Sequence, residues 1–369
     1  MKIRLNLIVF AYILFMTGLI CEPAAGASAK AFDARIVTST LKVFPDDKPQ
    51  GKASGVYVME AVRNEYSPFQ VVVYAAKDIK NVTVQVSPLK GAKGSIPVAA
   101  GAMLSVENVY ISTPTIPVPD GEFKPKLWPD PMPPLKKFDV KKGKAHSVWV
   151  DLFIPKGTAP GVYKGTVAVS AGSGGKIALP VEAHVADVGI PTVPTMRTAF
   201  GNWGVNGCLE KAYGVKPDSP EAKKLKDDFY WFLVDHRISP YDIPVDLYSD
   251  DAHKYLDDPR VNFFVIPLPG GASAGGKLWD DAYMKKLNDR LEQTGWIDKG
   301  VFYLFDEPKP DAYDAVIKAG QRIKSINPKL KFLMTPNSDN VLADRKMIKD
   351  SNINVWIPIL SVMSNPMSK

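Results

Sequence analysis

The 369-residue chain is 46% apolar and 23% charged, and its 32 prolines are nearly twice the share of about 5% usual in globular proteins. Its formal charge is +7, but the lysine excess sits in one stretch (Lys124, Lys126, Lys136, Lys137, Lys141, Lys142, Lys144). No nucleic-acid-binding motif accompanies it, so it reads as solvated surface with no nucleic-acid partner.

The N-terminus reads as a secretion signal over residues 1–29. Lys2 and Arg4 supply positive charge, Leu5 to Ile20 is mostly apolar, and the small residues Ala27-Ser28-Ala29 place cleavage before Lys30. The apolar run is short for a membrane span, and no second one follows, so no stable span is expected after cleavage. Secretion, or release to the periplasm or cell envelope, is implied. Cys21 raises a lipoprotein alternative, which Ile20 argues against. After cleavage Cys208 stands alone, excludes an internal disulfide and reads as a small buried residue.

Residues 32–190 alternate apolar and polar positions in short runs. Strands are predicted at Val56–Met59, Phe69–Tyr74, Val82–Val86, Val148–Phe153, Gly165–Val169 and Leu179–Val185, and together they imply an all-β sandwich of antiparallel strands. The loop from Ile111 to Lys144 is long for a compact domain and carries eight prolines between Pro114 and Pro134.

Pro191-Thr192-Val193-Pro194 reads as a linker, and over 195–369 strands and helices alternate. Strands are predicted at Arg197–Gly201, Ile238–Ile243, Val261–Pro267, Val301–Phe305, Lys331–Met334 and Val355–Leu360. Helices are predicted at Ser219–Val234, Asp280–Gln293, Asp311–Ile326 and Val341–Lys349. This order implies a parallel sheet, with a (β/α)8 TIM-type barrel as the leading architecture. About six βα units are visible where a closed barrel has eight, so the barrel is expected to be incomplete, as a smaller open sheet or a truncated chain.

The densest candidate chemistry is Val301-Phe302-Tyr303-Leu304-Phe305-Asp306-Glu307-Pro308, an apolar strand ending in two carboxylates. In a barrel such strand ends carry the active site. The competing role is to cap the helix starting near Asp311. Adjacent strand residues point to opposite faces, so Asp306 and Glu307 cannot straddle a sugar ring as acid and nucleophile. One acid with a helper beside it suits substrate-assisted hydrolysis, in which a sugar's 2-acetamido group attacks its own anomeric carbon. Strand-end residues Asn202, Trp203, Tyr241, Asp242, Asn337 and Trp356 are candidates to line a carbohydrate site, although Trp356 reads more readily as core packing. Tyr163 and Tyr303 read as structural. His146, His184, His236 and His253 show no metal-ligand spacing, and no cofactor or metal is expected.

The chain resembles glycoside hydrolase family 123 and its relatives grouped as domain of unknown function 4091, C-terminally truncated. The resemblance rests on four stretches: Leu127-Trp128-Pro129-Asp130-Pro131-Met132-Pro133-Pro134-Leu135, the run Ile154-Pro155-Lys156-Gly157-Thr158-Ala159-Pro160-Gly161-Val162-Tyr163-Lys164-Gly165, Arg197-Thr198-Ala199-Phe200-Gly201 and Tyr303-Leu304-Phe305-Asp306-Glu307-Pro308. It implies a β-sandwich followed by a barrel and β-N-acetylgalactosaminidase activity, with Asp306 orienting the acetamide and Glu307 as general acid/base. The alternative is a non-catalytic envelope or glycan-binding protein that retains a truncated hydrolase scaffold. N-terminal sequencing of the exported protein is expected to read from Lys30, or from Ser28. A chain beginning at Met1, or at a lipidated Cys21, contradicts the reading of the leader.

Overall fold

The computed structural model describes residues 30–51, 54–114, 124–198, 200, 207–267, 281–336 and 344–358. The predicted leader, with Cys21, and the candidates Asn202, Trp203 and Asn337 lie outside the described residues. The chain divides into two compact units between Ile190 and Pro191.

The first unit is built of β-strands: β1 (Phe32–Thr38), β2 (Tyr57–Arg63), β3 (Glu65–Ala75), β4 (Ile79–Val86), β5 (Leu89–Gly91), β6 (Gly94–Ile96), β7 (Met103–Val106), β8 (Asn108–Ile111), β9 (Lys126–Pro129), β10 (Phe138–Val140), β11 (Ala145–Ile154), β12 (Gly161–Ala171) and β13 (Gly175–Gly189). One sheet has the order β1-β3-β11-β7, and the other runs β10-β4-β12-β13-β2 with β5 and β6 attached. The two-residue period of β3 sorts its side chains: Val71 and Val73 enter the main core, while Val72 and Tyr74 pack with Val37 and Val43 on the other face. Asn64, at a φ of +62°, makes the tight turn that lets the chain leave β2 in one sheet and enter β3 in the other. Asparagine tolerates that left-handed conformation better than most residues.

The antiparallel expectation fails at one pairing, because β13 and β2 run parallel from Val181↔Tyr57 to Val185↔Ala61. The proline-rich loop also has a structural role. Ser105 donates its backbone N–H to the Pro133 carbonyl at 2.9 Å and Glu107 donates to that of Pro131 at 2.8 Å, so the loop covers the outer edge of β7. Prolines accept there but cannot donate onward, which closes the edge to further pairing. Cys208 is exposed, against its expected burial.

The second unit carries helices α1 (Cys208–Tyr213), α2 (Pro220–Asp235), α3 (Ala252–Leu256), α4 (Asp281–Thr294), α5 (Tyr313–Ile326) and α6 (Arg345–Asp350). Its strands are β14 (Phe264–Val265), β15 (Gly300–Asp306), β16 (Lys331–Thr335) and β17 (Val355–Trp356), paired in that order and all parallel. Helix α2 starts as its sequence dictates: Pro220 occupies the first turn, and the Ser219 hydroxyl accepts from the Ala222 N–H at 3.2 Å.

The predicted strand at Ile238–Ile243 shrinks to one parallel bridge, Phe200↔Pro240, and of the predicted strand at Arg197–Gly201 the residues Ala199 and Gly201 lie outside the described residues. Pro240 has no N–H to continue a ladder, which accounts for the loss. The segments nevertheless stay in line. Tyr241 donates its backbone N–H to the Phe200 carbonyl at 2.8 Å, and Val265 donates to that of Tyr241 at 2.9 Å. Four parallel strands thus follow one another in chain order, with Tyr241 and Phe200 hydrogen-bonded in turn beyond β14, and the described residues form no closed barrel.

Both faces of this sheet are covered. Phe302, Leu304, Phe332 and Met334 pack with α2, α4 and α5, while Val301, Tyr303 and Leu333 pack with Phe263 and Val265 on the opposite side. Gly300 to Phe305 is buried without interruption, which explains why the sequence there is an unbroken apolar run rather than an alternation. Each large side chain so buried contributes roughly 1.5–3 kcal/mol.

Helix α5 approaches the end of α6 through Gly320, where a Cβ would collide with the backbone carbonyl of Ser351. Backbone cannot step aside as a flexible side chain does. Gly320→Ala is expected to cost roughly 2–4 kcal/mol in chemical denaturation, despite alanine's better helix propensity. A neutral or stabilising effect contradicts this packing.

Candidate active site

The site is made where β15 ends. Regular alternation from Val301 and Tyr303 would put residue 305 on their face and residue 306 on the helix side. The chain does otherwise: Leu304 and Phe305 both join the helix-side core. The ladder to β16 records the slip, advancing from Tyr303↔Leu333 to Asp306↔Thr335, three residues against two. This β-bulge turns Asp306 onto the face of Tyr303.

There the Asp306 carboxylate accepts a hydrogen bond from the Tyr303 hydroxyl at 2.6 Å and another from the Thr335 hydroxyl at 2.9 Å. Glu307 follows with a φ of +47°, a left-handed conformation that costs a side chain bearing a Cβ about 1 kcal/mol or more. Its backbone N–H donates to the Thr335 carbonyl at 3.2 Å, which holds that conformation in place. The expectation of opposed faces rested on both carboxylates continuing an extended strand. Glu307 does not, so the alternation ends at Asp306.

Tyr241 sits on the same face, its ring edge-on to Tyr303 with centroids 5.8 Å apart. Burial pushes the Tyr303 phenol well above its ordinary range, and the hydrogen bond to Asp306 adds to the effect, so it remains an O–H donor at neutral pH. The Tyr241 phenol is raised in the same direction, first by burial and then by Tyr303, Asp242 and Asp306. Asp242 is half-buried, and burial raises its carboxyl to about 6.

The structure therefore gathers Tyr241, Asp242, Tyr303, Asp306, Glu307 and Thr335 toward the carboxyl ends of the parallel strands. Trp356 does not join them: it packs against the helix-side core, whereas its neighbour Val355 lies on the Tyr303 face. Its competing reading as core is the one its packing supports. Tyr303, read from the sequence as structural, donates to Asp306 at 2.6 Å, and Thr335 was missed altogether. The only sequence signal for Tyr303 was its nearness to the acidic pair, and strand parity argued against it. No group of three or more metal-ligating side chains occurs among the described residues. A cavity of about 560 Å³ lies in the first unit among β1, β2 and the loop near Gln50, and contains none of the candidate residues.

Residues 41–171 match the glycoside hydrolase 123 N-terminal domain. A family 123 glycoside hydrolase from Clostridium perfringens, studied for glycolipid glycan hydrolysis, superposes with a TM-score of 0.61 at 15% identity, over 90% of this chain and 67% of that one. A putative membrane-anchored protein from Corynebacterium diphtheriae (13% identity, TM-score 0.23) aligns over 46% of this chain and 38% of its own. A sporulation control protein from Bacillus subtilis (12% identity, TM-score 0.22) aligns over 44% of this chain and 51% of its own. No curated protein matches the chain significantly.

Asp242 gives the site a pH signature. Its carboxyl is raised in the folded state from 3.8 to about 6, so the folded protein holds this proton more tightly than the unfolded chain. The associated stability is complete below the unfolded value and is lost as pH rises through the folded one. Asp242→Asn is expected to remove that loss, making the variant relatively more stable at pH 7 by at most about 3 kcal/mol. Denaturation of both proteins from pH 4 to 7 checks this, and parallel curves contradict it.

Proposed function

We propose that this glycoside hydrolase 123-like protein is an exported, β-N-acetylgalactosaminidase-like glycoside hydrolase. It acts on glycans containing N-acetylhexosamine, by a substrate-assisted mechanism that retains the anomeric configuration. Its parallel segments then represent part of a (β/α)8 barrel, with the substrate at the carboxyl ends of the strands.

The observation that carries this reading is the bulge that brings Asp306 onto the Tyr303 face while Glu307 turns out of the strand. A retaining enzyme with a protein nucleophile needs two carboxyl groups facing each other across the scissile bond, about 5–5.5 Å apart. Here the two carboxylates are consecutive, and one is held by two neighbouring hydroxyls. Such a pair serves one side of the sugar, and the other reactant comes from the substrate.

In the first step Glu307 protonates the departing glycosidic oxygen as the acetamide carbonyl oxygen attacks the anomeric carbon. The C–O bond to the leaving group breaks, and a bicyclic oxazolinium forms. Asp306 accepts the acetamide N–H and offsets the positive charge that develops on it. In the second step Glu307 takes a proton from water, which attacks the anomeric carbon and reopens the ring.

Turnover of aryl β-N-acetylgalactosaminide and aryl β-galactoside by the full chain tests the proposal. The acetamido substrate is expected to be hydrolysed and the galactoside left essentially untouched, and Glu307→Gln is expected to lower kcat by at least about 100-fold. Equal rates on the two substrates contradict substrate assistance. Glycan binding without turnover favours the non-catalytic alternative.

A further inference from the structure

The hydroxyls that meet Asp306 divide its two oxygens. Tyr303 reaches Oδ1 at 2.6 Å and Thr335 reaches the same atom at 2.9 Å, while the two hydroxyl oxygens stand 2.8 Å apart. A carboxylate oxygen has two lone-pair sites, so Oδ1 is filled. Among the described residues no donor is found on Oδ2.

We propose that Tyr303 and Thr335 are positioning residues that pin Oδ1 of Asp306, leaving Oδ2 as the oxygen that accepts the N–H of a 2-acetamido group. This inference rests on the roles given above to Asp306 and Glu307, and it specifies how the site tells an acetamide from a hydroxyl. An exposed aspartate at a strand end would otherwise sample several rotamers and present either oxygen. Fixing it before the substrate arrives removes that ordering cost from the step in which charge develops.

Thr335 also ties the pair together. Its hydroxyl holds the Asp306 side chain, its carbonyl accepts the Glu307 N–H at 3.2 Å, and its Oγ1 lies 3.4 Å from the same nitrogen. One residue of β16 therefore references both carboxylates, and the bulge in β15 sets the register in which it does so. Tyr303 is braced in turn by the edge-on ring of Tyr241, and its buried phenol keeps the proton it donates. A purely structural role for these hydroxyls, such as sealing the strand end, would leave ligand discrimination untouched. Their removal is informative for that reason.

The test titrates the galacto-configured thiazoline, a stable sulfur analogue of the bicyclic intermediate, into the full chain by calorimetry, with galactose as the ligand lacking the nitrogen. Y303F and T335V are expected to weaken thiazoline binding about 10- to 100-fold, as misplacement of an orienting group does. Galactose binding should be unchanged, and T335S should restore affinity to near the unaltered level by returning the hydroxyl. On the acetamido substrate the same variants should lower kcat more than they raise KM. If Y303F does not fold, the T335V and T335S pair decides. Thiazoline binding lost in Asp306→Asn but retained in Y303F and T335V overturns the positioning role alone. No thiazoline binding by the unaltered chain overturns the reading of the site and this inference with it.

Discussion

A single extra residue between Tyr303 and Asp306 decides what the end of β15 can do. Without it, Phe305 would meet the Tyr303 face and Asp306 would turn toward the helices, into the layer occupied by Phe302, Leu304 and Phe332. A carboxylate buried there without a partner would cost several kcal/mol. With the slip, the apolar ring goes to the apolar side and the carboxylate meets two hydroxyls. Bulges recur beside functional sites because they re-aim one side chain without disturbing the strand that carries it.

The rest of the second unit holds that strand still. The run from Gly300 to Phe305 is buried on both faces, flanked by β14 and β16 and backed by α4 and α5. Helix α5 depends on Gly320 for its approach to Ser351. The strain at Glu307, whose φ is +47°, is tolerable only because this packing and the Thr335 carbonyl over-determine it. Rigid packing on both faces of a strand, with local strain confined to the residue after it, is how a fold places one acid without spreading disorder to its neighbours.

Much of this was legible in the sequence. Alternation in Phe69–Tyr74 and Val148–Phe153 reported strands, and Ser219-Pro220 reported a helix start, because each is a local signal with a local cause. The acidic pair stood out because an apolar run stopped at it. What stayed hidden was set by pairing partners. The parallel union of β13 with β2 joins segments more than a hundred residues apart and leaves no mark in either. The predicted strand at Ile238–Ile243 failed because Pro240 limits pairing, a demotion its own sequence carried. Trp356 and Val355 are neighbours on opposite faces, and only the packing around them tells which one looks toward Tyr303. Thr335 lay beyond reach altogether, since its value comes from the register of β16 against a bulge in β15.

The most direct measurement is a crystal structure of the chain with the galacto-configured thiazoline bound. The expected result places the ligand nitrogen within hydrogen-bond reach of Asp306 Oδ2, with Tyr303 and Thr335 on Oδ1 and the Glu307 carboxyl beside the anomeric carbon. A ligand seated elsewhere, or an Asp306 side chain turned to the helix face while the ligand is bound, would contradict the central claim.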